Sequence, residues 1–321
     1  MKQLYFYAIL NKKENDVSIM NIQKWLKIHT KELHGKKIAI TGSTGGLGKE
    51  LCSYLVSLGA SLILLDRSYE RSSAHKDSLC CRFKNADISC ITLDLEDISC
   101  ADTVSKKLNE IGIDYFIHNA GAYSIPRHIC TSGFDNVFQI NFASPYYIIR
   151  KILPMLSERN GKMIVVGSIA HNYSKIDEND VDFLKRKASS KVYGNAKRYL
   201  MFSLYELFKN EDKATLSVVH PGITLTNITA HYPKLIFALI KHPMKVIFMK
   251  PKTAALSILK GVFDKTDYCE WIGPRIFNIW GLPKKQQLKT CKDSEISKIS
   301  EISERVFLQC EHTAKGVLER N

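Results

Sequence analysis

The sequence predicts a doubly wound α/β fold, a parallel sheet between two layers of helices in a single domain. Two observations carry this. Short apolar runs without polar alternation recur at 37–41, 62–65, 90–93, 115–118, 163–166 and 216–219. Such runs suit strands covered on both faces. Helix-like segments fall between most of them, notably 47–58, 135–156 and 193–209. Strand and helix in alternation wind a parallel, three-layer sheet.

Composition bounds the remaining choices. The chain has 321 residues, 45% hydrophobic and 24% charged, which excludes disorder over most of its length. No apolar run reaches the roughly 18 residues of a spanning helix, so a multi-span protein is excluded. Residues 4–10 form a short apolar stretch that ends in Asn11-Lys12-Lys13. They lack a small-residue cleavage site, so no secretory signal is expected. Nine cysteines, only Cys80-Cys81 close together and none in Cys-x-x-Cys, read as free thiols in a reducing cytosol. No structural metal is expected.

Taken in order, residues 18–33 read as an amphipathic helix capped by Ser18, with Ile19, Ile22, Leu26 and Leu33 at helical spacing and Gly35 ending it. This basic extension spans 1–35. Residues 36–260 form the main domain, and 261–321 are an elaboration packed on it. Within the domain, 234–252 is apolar apart from Lys, His and Pro, and Pro243 breaks it into two short helices. Near the end, Ile296, Ile299, Ile302, Val306 and Phe307 predict a helix packed on the domain.

The turn after the first strand reads Thr41-Gly42-Ser43-Thr44-Gly45-Gly46-Leu47-Gly48. Glycines there admit a close pyrophosphate, and the helix that follows offers free N–H groups and a positive dipole end. Asp66 ends the second strand, where a carboxylate can grip the adenosine ribose. Asp94, after the third, is placed to hydrogen-bond adenine. Together these predict a Rossmann-type dinucleotide site.

Tyr193 and Lys197, at i and i+4, share one helix face. A neighbouring ammonium favours the phenolate and brings a tyrosine toward the working pH. Lys197 also reaches toward the nicotinamide ribose. Ser168, at a strand end facing the crevice, is placed to hold a carbonyl oxygen beside Tyr193. Asn119-Ala120-Gly121 follows another strand end, and Asn141 lies in the helix-like segment after it.

In these motifs, with Pro221-Gly222 and Thr226, the sequence resembles the short-chain dehydrogenase/reductase superfamily over roughly residues 36–260. The resemblance implies Tyr193 as acid/base and Ser168 as carbonyl orienter. Lys197 would activate Tyr193 and bind ribose, and Asn141 would support a proton relay. It places the cofactor against Thr41, Gly42, Ser43, Gly46, Leu47 and Gly48. Asp66, Arg67, Asp94 and Leu95 would flank the adenosine, and Asn119, Ala120 and Gly121 the middle of the site. Pro221, Gly222 and Thr226 would lie near the nicotinamide. Within the superfamily the chain looks most like the retinol-dehydrogenase-like group. Ser168-Ile169-Ala170-His171, the long interval to Tyr193 and Ile302-Ser303-Glu304-Arg305 carry that likeness. His118 departs from the group's Asn-Asn-Ala-Gly pattern, and Asp66 from the small residue usual before Arg67. The cofactor is NAD(P), with Asp66 leaning the choice to NAD(H) and Arg67 keeping NADP(H) open.

An apolar lid over 227–252 implies a lipophilic alcohol or carbonyl of retinoid, steroid or long-chain type. The formal charge is +14, and 1–40 and 231–252 carry ten of those charges. Because the basic residues interleave with Ile, Leu and Phe, the reading is peripheral membrane contact and no nucleic acid. The expected setting is a cytoplasmic homo-oligomer, dimer or tetramer. A non-catalytic dinucleotide sensor or scaffold on the same fold is the alternative.

Overall fold

The computed structural model describes residues 21–224, 249–288, 290 and 292–318. The chain divides into two compact units, 1–32 and 33–321. In the first, residues 21–29 are helical, with the Trp25 and His29 rings 4.9 Å apart. The helix expected over 18–33 therefore ends early. Thr30 closes it by bonding back to Leu26 O through both its N–H and its Oγ1. Leu33 instead donates its N–H to Leu58 O. Ser18 and Ile19 lie outside the described residues.

The second unit begins with β1 (Lys37–Thr41), α1 (Gly46–Ser57), β2 (Ser61–Asp66) and α2 (Tyr69–Arg82). It continues with β3 (Ile88–Thr92), α3 (Ile98–Ile111), β4 (Tyr115–His118) and α4 (Ser144–Glu158). Next come β5 (Lys162–Val166), α5 (Ser189–Leu207), β6 (Thr215–Val219) and α6 (Pro251–Phe263). The chain ends in β7 (Glu270–Ile276), β8 (Trp280–Gln287) and α7 (Asp293–Leu318). One sheet holds all eight strands in the order β3-β2-β1-β4-β5-β6-β7-β8. Only the β7–β8 pair is antiparallel. The order reverses direction between β1 and β4, which opens a crevice at the strand C-termini. This is the predicted α/β architecture.

Six strands match the apolar runs; in five of them Ile38, Ile40, Leu62, Leu64, Phe116, Ile164 and Val218 are buried between helix layers, while β3 lies at the sheet edge. The seventh and eighth carry no such run. Gly273 and Pro274 interrupt β7, and β8 reads WGLPKKQQ at the sheet edge, where proline and lysine are tolerated. Residues 261–321 thus extend the sheet as well as cover it.

The C-terminal helix α7 packs across α3, α4 and α5. Ile296, Ile299, Ile302, Val306 and Cys310 are buried in the main core, and the Phe307 and Tyr147 rings stack at 5.4 Å. Seven of the described cysteines are free thiols. Cys269 corrects the all-thiol expectation: it is disulfide-bonded, its partner lying outside the described residues. No helix among the described residues is long and apolar enough to cross a membrane.

Candidate active site

The Gly-rich turn folds tightly because two positions, Gly42 and Gly48, admit no side chain. Gly42 has φ +70°, and a Cβ on it would sit 2.9 Å from Ala120 Cα. A Cβ on Gly48 would lie 2.2 Å from Gly42 O, so α1 can start against the turn only with glycine there. Gly45 is the N-cap of α1 and offers no side-chain oxygen, which leaves the first-turn N–H groups to an anion. Thr41 Oγ1 accepts from the N–H groups of Asn119 (3.1 Å) and Ala120 (3.0 Å). Its own proton therefore goes to His118 Nδ1, 3.1 Å away. Burial and the nearby Lys197 charge hold His118 well below the usual histidine range. This histidine stands in for the first Asn of the family's motif and fixes the β1–β4 seam as a neutral ring. Asn119 Nδ2 reaches back to Thr41 O (3.2 Å) and Gly42 O (2.9 Å).

Asp66 does not extend toward a ribose as its position suggests. Its Oδ2 accepts from Ser43 Oγ (2.5 Å) and Ser72 Oγ (3.2 Å), and its Oδ1 from Thr44 N (3.2 Å) and Oγ1 (3.1 Å). A carboxylate has about four acceptor positions, and all four are filled from within the chain. Arg67 is mostly exposed, 3.4 Å from Glu96 Oε1. Arg71 lines the same end of the cleft. Asp94 Oδ1 caps Glu96 N at 2.9 Å.

Asn141 lies in a π-type turn, Gln139–Ala143, a local widening often found at functional sites. Its Nδ2 donates to Ala122 O and Val137 O, both at 2.8 Å, and its Oδ1 accepts from Ala122 N at 3.2 Å. The side chain is fully engaged in holding residues 121–122. A Cβ on Gly121 would meet Asn141 Oδ1 at 2.8 Å and approach Lys197 Nζ at 3.6 Å.

Ser168 follows β5 and caps a 3₁₀ turn, Ile169–Tyr173, by accepting from Ala170 N at 3.2 Å. His171 locks that turn from behind, with Nδ1 2.7 Å from Ser168 O and Nε2 2.8 Å from Thr290 Oγ1. Arg198 donates to His171 O at 3.0 Å and is paired with Glu295 of α7. Across the turn, α5 presents Tyr193 and Lys197 on one face. The Ser168 hydroxyl lies beside Tyr193 and favours its phenolate, Lys197 Nζ lies 5.8 Å from the Tyr193 ring centroid, and Nζ donates to Val166 O at 2.9 Å.

The electrostatics differ from the sequence expectation. Burial raises Tyr193 to about 12 despite the Ser168 hydrogen bond, with Tyr123 adding to the rise. Burial alone lowers Lys197 to about 7. Desolvation outweighs the expected pull of the ammonium on the phenol, because the same low-dielectric wall destabilises both charges.

These groups line one cleft of about 1050 Å³ that runs from Arg67 past the Gly-rich turn to Ser168, Tyr193 and Gly222. Gly222 has φ +81°, and a Cβ there would press on Ile279 O at 2.6 Å. Thr226 and residues 227–248 of the expected lid lie outside the described residues. From 249 on, Met249 bridges to Thr224 and Pro251 opens α6. Tyr123, whose ring meets Tyr193 edge-on at 5.4 Å, was not anticipated. Its one sequence signal is an aromatic two residues past Asn119-Ala120-Gly121.

A dinucleotide fits this cradle: two glycines at which any side chain would force the turn apart, an uncapped helix N-terminus, and a cleft of about 1050 Å³ lined from Arg67 to Gly222. Fold and site define a Rossmann-type nucleotide-binding protein with a Ser–Tyr–Lys set at the strand C-termini. The chain belongs to the short-chain dehydrogenase family, whose family model matches residues 36–234. It is 29% identical over 203 residues to mouse retinol dehydrogenase 12, covering 62% of this chain and 64% of that protein. It is 25% identical over 294 residues to human retinol dehydrogenase 14, covering 85% and 86%. The match to mouse retinol dehydrogenase 12 thus spans under two thirds of that protein's length. Among solved structures, it resembles an uncharacterised protein from Mycobacterium paratuberculosis with TM-score 0.69 and 20% identity, covering 89% of this chain and 95% of that one. An Agrobacterium tumefaciens 3-oxoacyl (acyl-carrier-protein) reductase with NADP bound gives TM-score 0.57 at 17% identity, covering 74% and 90%. At these identities the structures speak for the fold.

Proposed function

We propose that the protein is an NADP(H)-dependent oxidoreductase that reduces the carbonyl of a lipophilic compound to an alcohol. The observation that carries this is the convergence of Ser168, Tyr193 and Lys197 beside the Gly-rich turn in a single cleft. Bound there, a nicotinamide dinucleotide supplies the hydride. Ser168 Oγ donates to the substrate carbonyl oxygen and holds it beside the Tyr193 hydroxyl. Tyr193 delivers a proton to that oxygen as charge builds on it. Lys197 anchors the ribose hydroxyls and steadies Tyr193. Asn141 is a positioning residue that keeps Gly121 and Ala122 clear of Lys197.

The reductive direction is supported by burial pushing Tyr193 up to about 12, which keeps the phenol protonated as the acid that carbonyl reduction needs. The NADP(H) preference departs from the lean that Asp66 suggested. With its four acceptor positions filled, Asp66 has none left for ribose hydroxyls, while Arg67 and Arg71 face the same end with guanidinium donors suited to a phosphate. A lipophilic substrate is supported by Tyr123, Ile125 and Ile169 in the cleft and by the retinol dehydrogenases among the relatives. The proposal includes a cytoplasmic protein with peripheral membrane contact, resting on the basic 1–40 and 231–252 segments, both partly outside the described residues. It also includes a homo-oligomer, dimer or tetramer.

The test is Tyr193→Phe, assayed against a panel of retinoid, steroid and long-chain aldehydes and ketones with NADPH. Turnover in the parent that disappears in the variant, with NADPH binding retained, supports the reading. Undiminished turnover in Tyr193→Phe overturns it. A parent that binds dinucleotide and reduces no member of the panel favours the sensor alternative.

A further inference from the structure

Beside the adenosine end of the cleft, Glu96, His128 and Cys130 bring a carboxylate, an imidazole and a thiol together. One donor atom from each lies within 4.8 Å of the other two. Glu96 is separated from the other two by over thirty residues, so spacing in the sequence gives no sign of the cluster.

The fold holds both sides. His128 and Cys130 flank Ile129, which forms an antiparallel bridge to Asp135. Alternation along an extended segment sends 128 and 130 to one side and 129 to the other, and Ile129 is indeed exposed. The ribbon is closed by Cys130 N to Phe134 O (2.8 Å), Gly133 N to Cys130 O (2.9 Å) and Asn136 N to His128 O (2.9 Å). Arg127 Nε to Asp135 Oδ2 (2.8 Å) ties it down. On the opposite side, Glu96 sits in the turn that Asp94 caps. Its two oxygens face different partners: Oε2 lies 2.9 Å from His128 Nε2, and Oε1 faces Arg67 Nη1 at 3.4 Å.

We propose that Glu96, His128 and Cys130 form a zinc site, completed by water. Sulfur, imidazole nitrogen and carboxylate oxygen are the donors Zn²⁺ takes, and three protein ligands with one open position is a common pattern. With bonds of about 2.0–2.3 Å, tetrahedral donors sit roughly 3.3–3.7 Å apart. Zn²⁺ replaces the His128–Glu96 hydrogen bond and the Cys130 thiol proton, releasing that proton to solvent. Glu96 binds through Oε2 and keeps Oε1 on Arg67, the outer-shell support that ligating carboxylates usually have. Cys130 is buried, and His128, half exposed at 55%, leaves an entry side. The metal pins the β3–α3 turn at the adenosine end to the ribbon that leads into Asn141.

The experiment uses the full chain, freed of metal with a chelator and kept reduced. Zn²⁺ is titrated against a competing chromophoric chelator, and Co²⁺ is substituted to read coordination by absorption. The expected result is one Zn²⁺ per chain and a thiolate–Co²⁺ charge-transfer band. His128→Ala and Cys130→Ser each weaken binding by about tenfold or more, and Cys130→Ser removes the band. His128 is a surface residue, so its variant keeps the test open should Cys130→Ser fold poorly. Binding weaker than about 10 µM in the parent, or binding unchanged in His128→Ala and Cys130→Ser, overturns the proposal. Unchanged binding would point to the other thiols.

Discussion

Gly194 stands so close to the carbonyl of Ala170 that a Cβ on it would lie 2.2 Å from the oxygen. That approach lets the start of α5 lie against the Ser168 turn, and it is what sets Tyr193 within reach of Ser168. Gly194→Ala should therefore separate the two hydroxyls while leaving the Gly-rich turn intact. A shift of about 1 Å at reacting groups costs on the order of 10²-fold in rate. Steady-state kinetics should show kcat reduced on that scale with NADPH affinity nearly unchanged. A fall in cofactor affinity with kcat preserved would place the effect elsewhere.

Tyr193 at about 12 and Ser168 as the one group lowering it fix a sign for the pH dependence. Carbonyl reduction uses the protonated phenol, which persists through the neutral and alkaline range. Alcohol oxidation uses the phenolate, whose fraction rises about tenfold per unit as pH climbs toward 12. Reduction should hold no falling limb from this group below about pH 9, whereas oxidation should keep rising across pH 7 to 9 without a plateau. Ser168→Ala removes the stabilising hydrogen bond and should shift the oxidation profile further alkaline. An oxidation rate that levels off near neutrality would contradict this.

Much of the architecture was legible because β1, β2, β4, β5 and β6 must bury both faces, and only apolar runs such as Ile38–Ile40 and Ile164–Val166 do so. The β7–β8 pair was not, since Gly273 and Pro274 interrupt β7 and β8, at the edge, needs no second buried face and tolerates Pro283, Lys284 and Lys285. Motif positions were equally legible: Ser168, Tyr193, Lys197 and Gly42 meet in the cleft as their spacing implied. Side-chain directions were not. Whether Asp66 faces a ribose or its own turn depends on Ser43, Thr44 and Ser72 converging from separate segments, and no local pattern records that. The balance between burial and charge at Tyr193 and Lys197 likewise depends on the packed surroundings of α5.

Lys197 is held at about 7 by burial, against 10.5 ordinarily, so the fold disfavours its charged form. Below pH 7 the folded chain must carry a buried ammonium, and the penalty is full there. It shrinks as pH rises from 7 to 10.5 and vanishes above that, where both states are neutral. Lys197→Met should stabilise the protein by up to a few kcal/mol, more at pH 6 than at pH 9, while abolishing turnover. Thermal melts at the two pH values measure this. A variant less stable than the parent at pH 6 would show that the Val166 O hydrogen bond outweighs desolvation.

Arg67 and Arg71 should decide between the two nicotinamide cofactors, because Asp66 has no acceptor position left. Removing a guanidinium that pairs with a phosphate costs about 1.5–3 kcal/mol, roughly ten- to a hundredfold in affinity. Arg67→Ala should raise the Kd for NADPH on that scale and change the Kd for NADH by less than about threefold. The Glu96 carboxylate, relieved of its partner, adds repulsion to the 2′-phosphate in the same direction. Asp66→Asn should weaken NADH and NADPH binding alike, since an amide cannot accept all four bonds by which the carboxylate holds the turn. Fluorescence titration of the parent and the two variants with each cofactor reads both effects. A parent that prefers NADH, with Asp66→Asn losing that preference, would return Asp66 to the ribose.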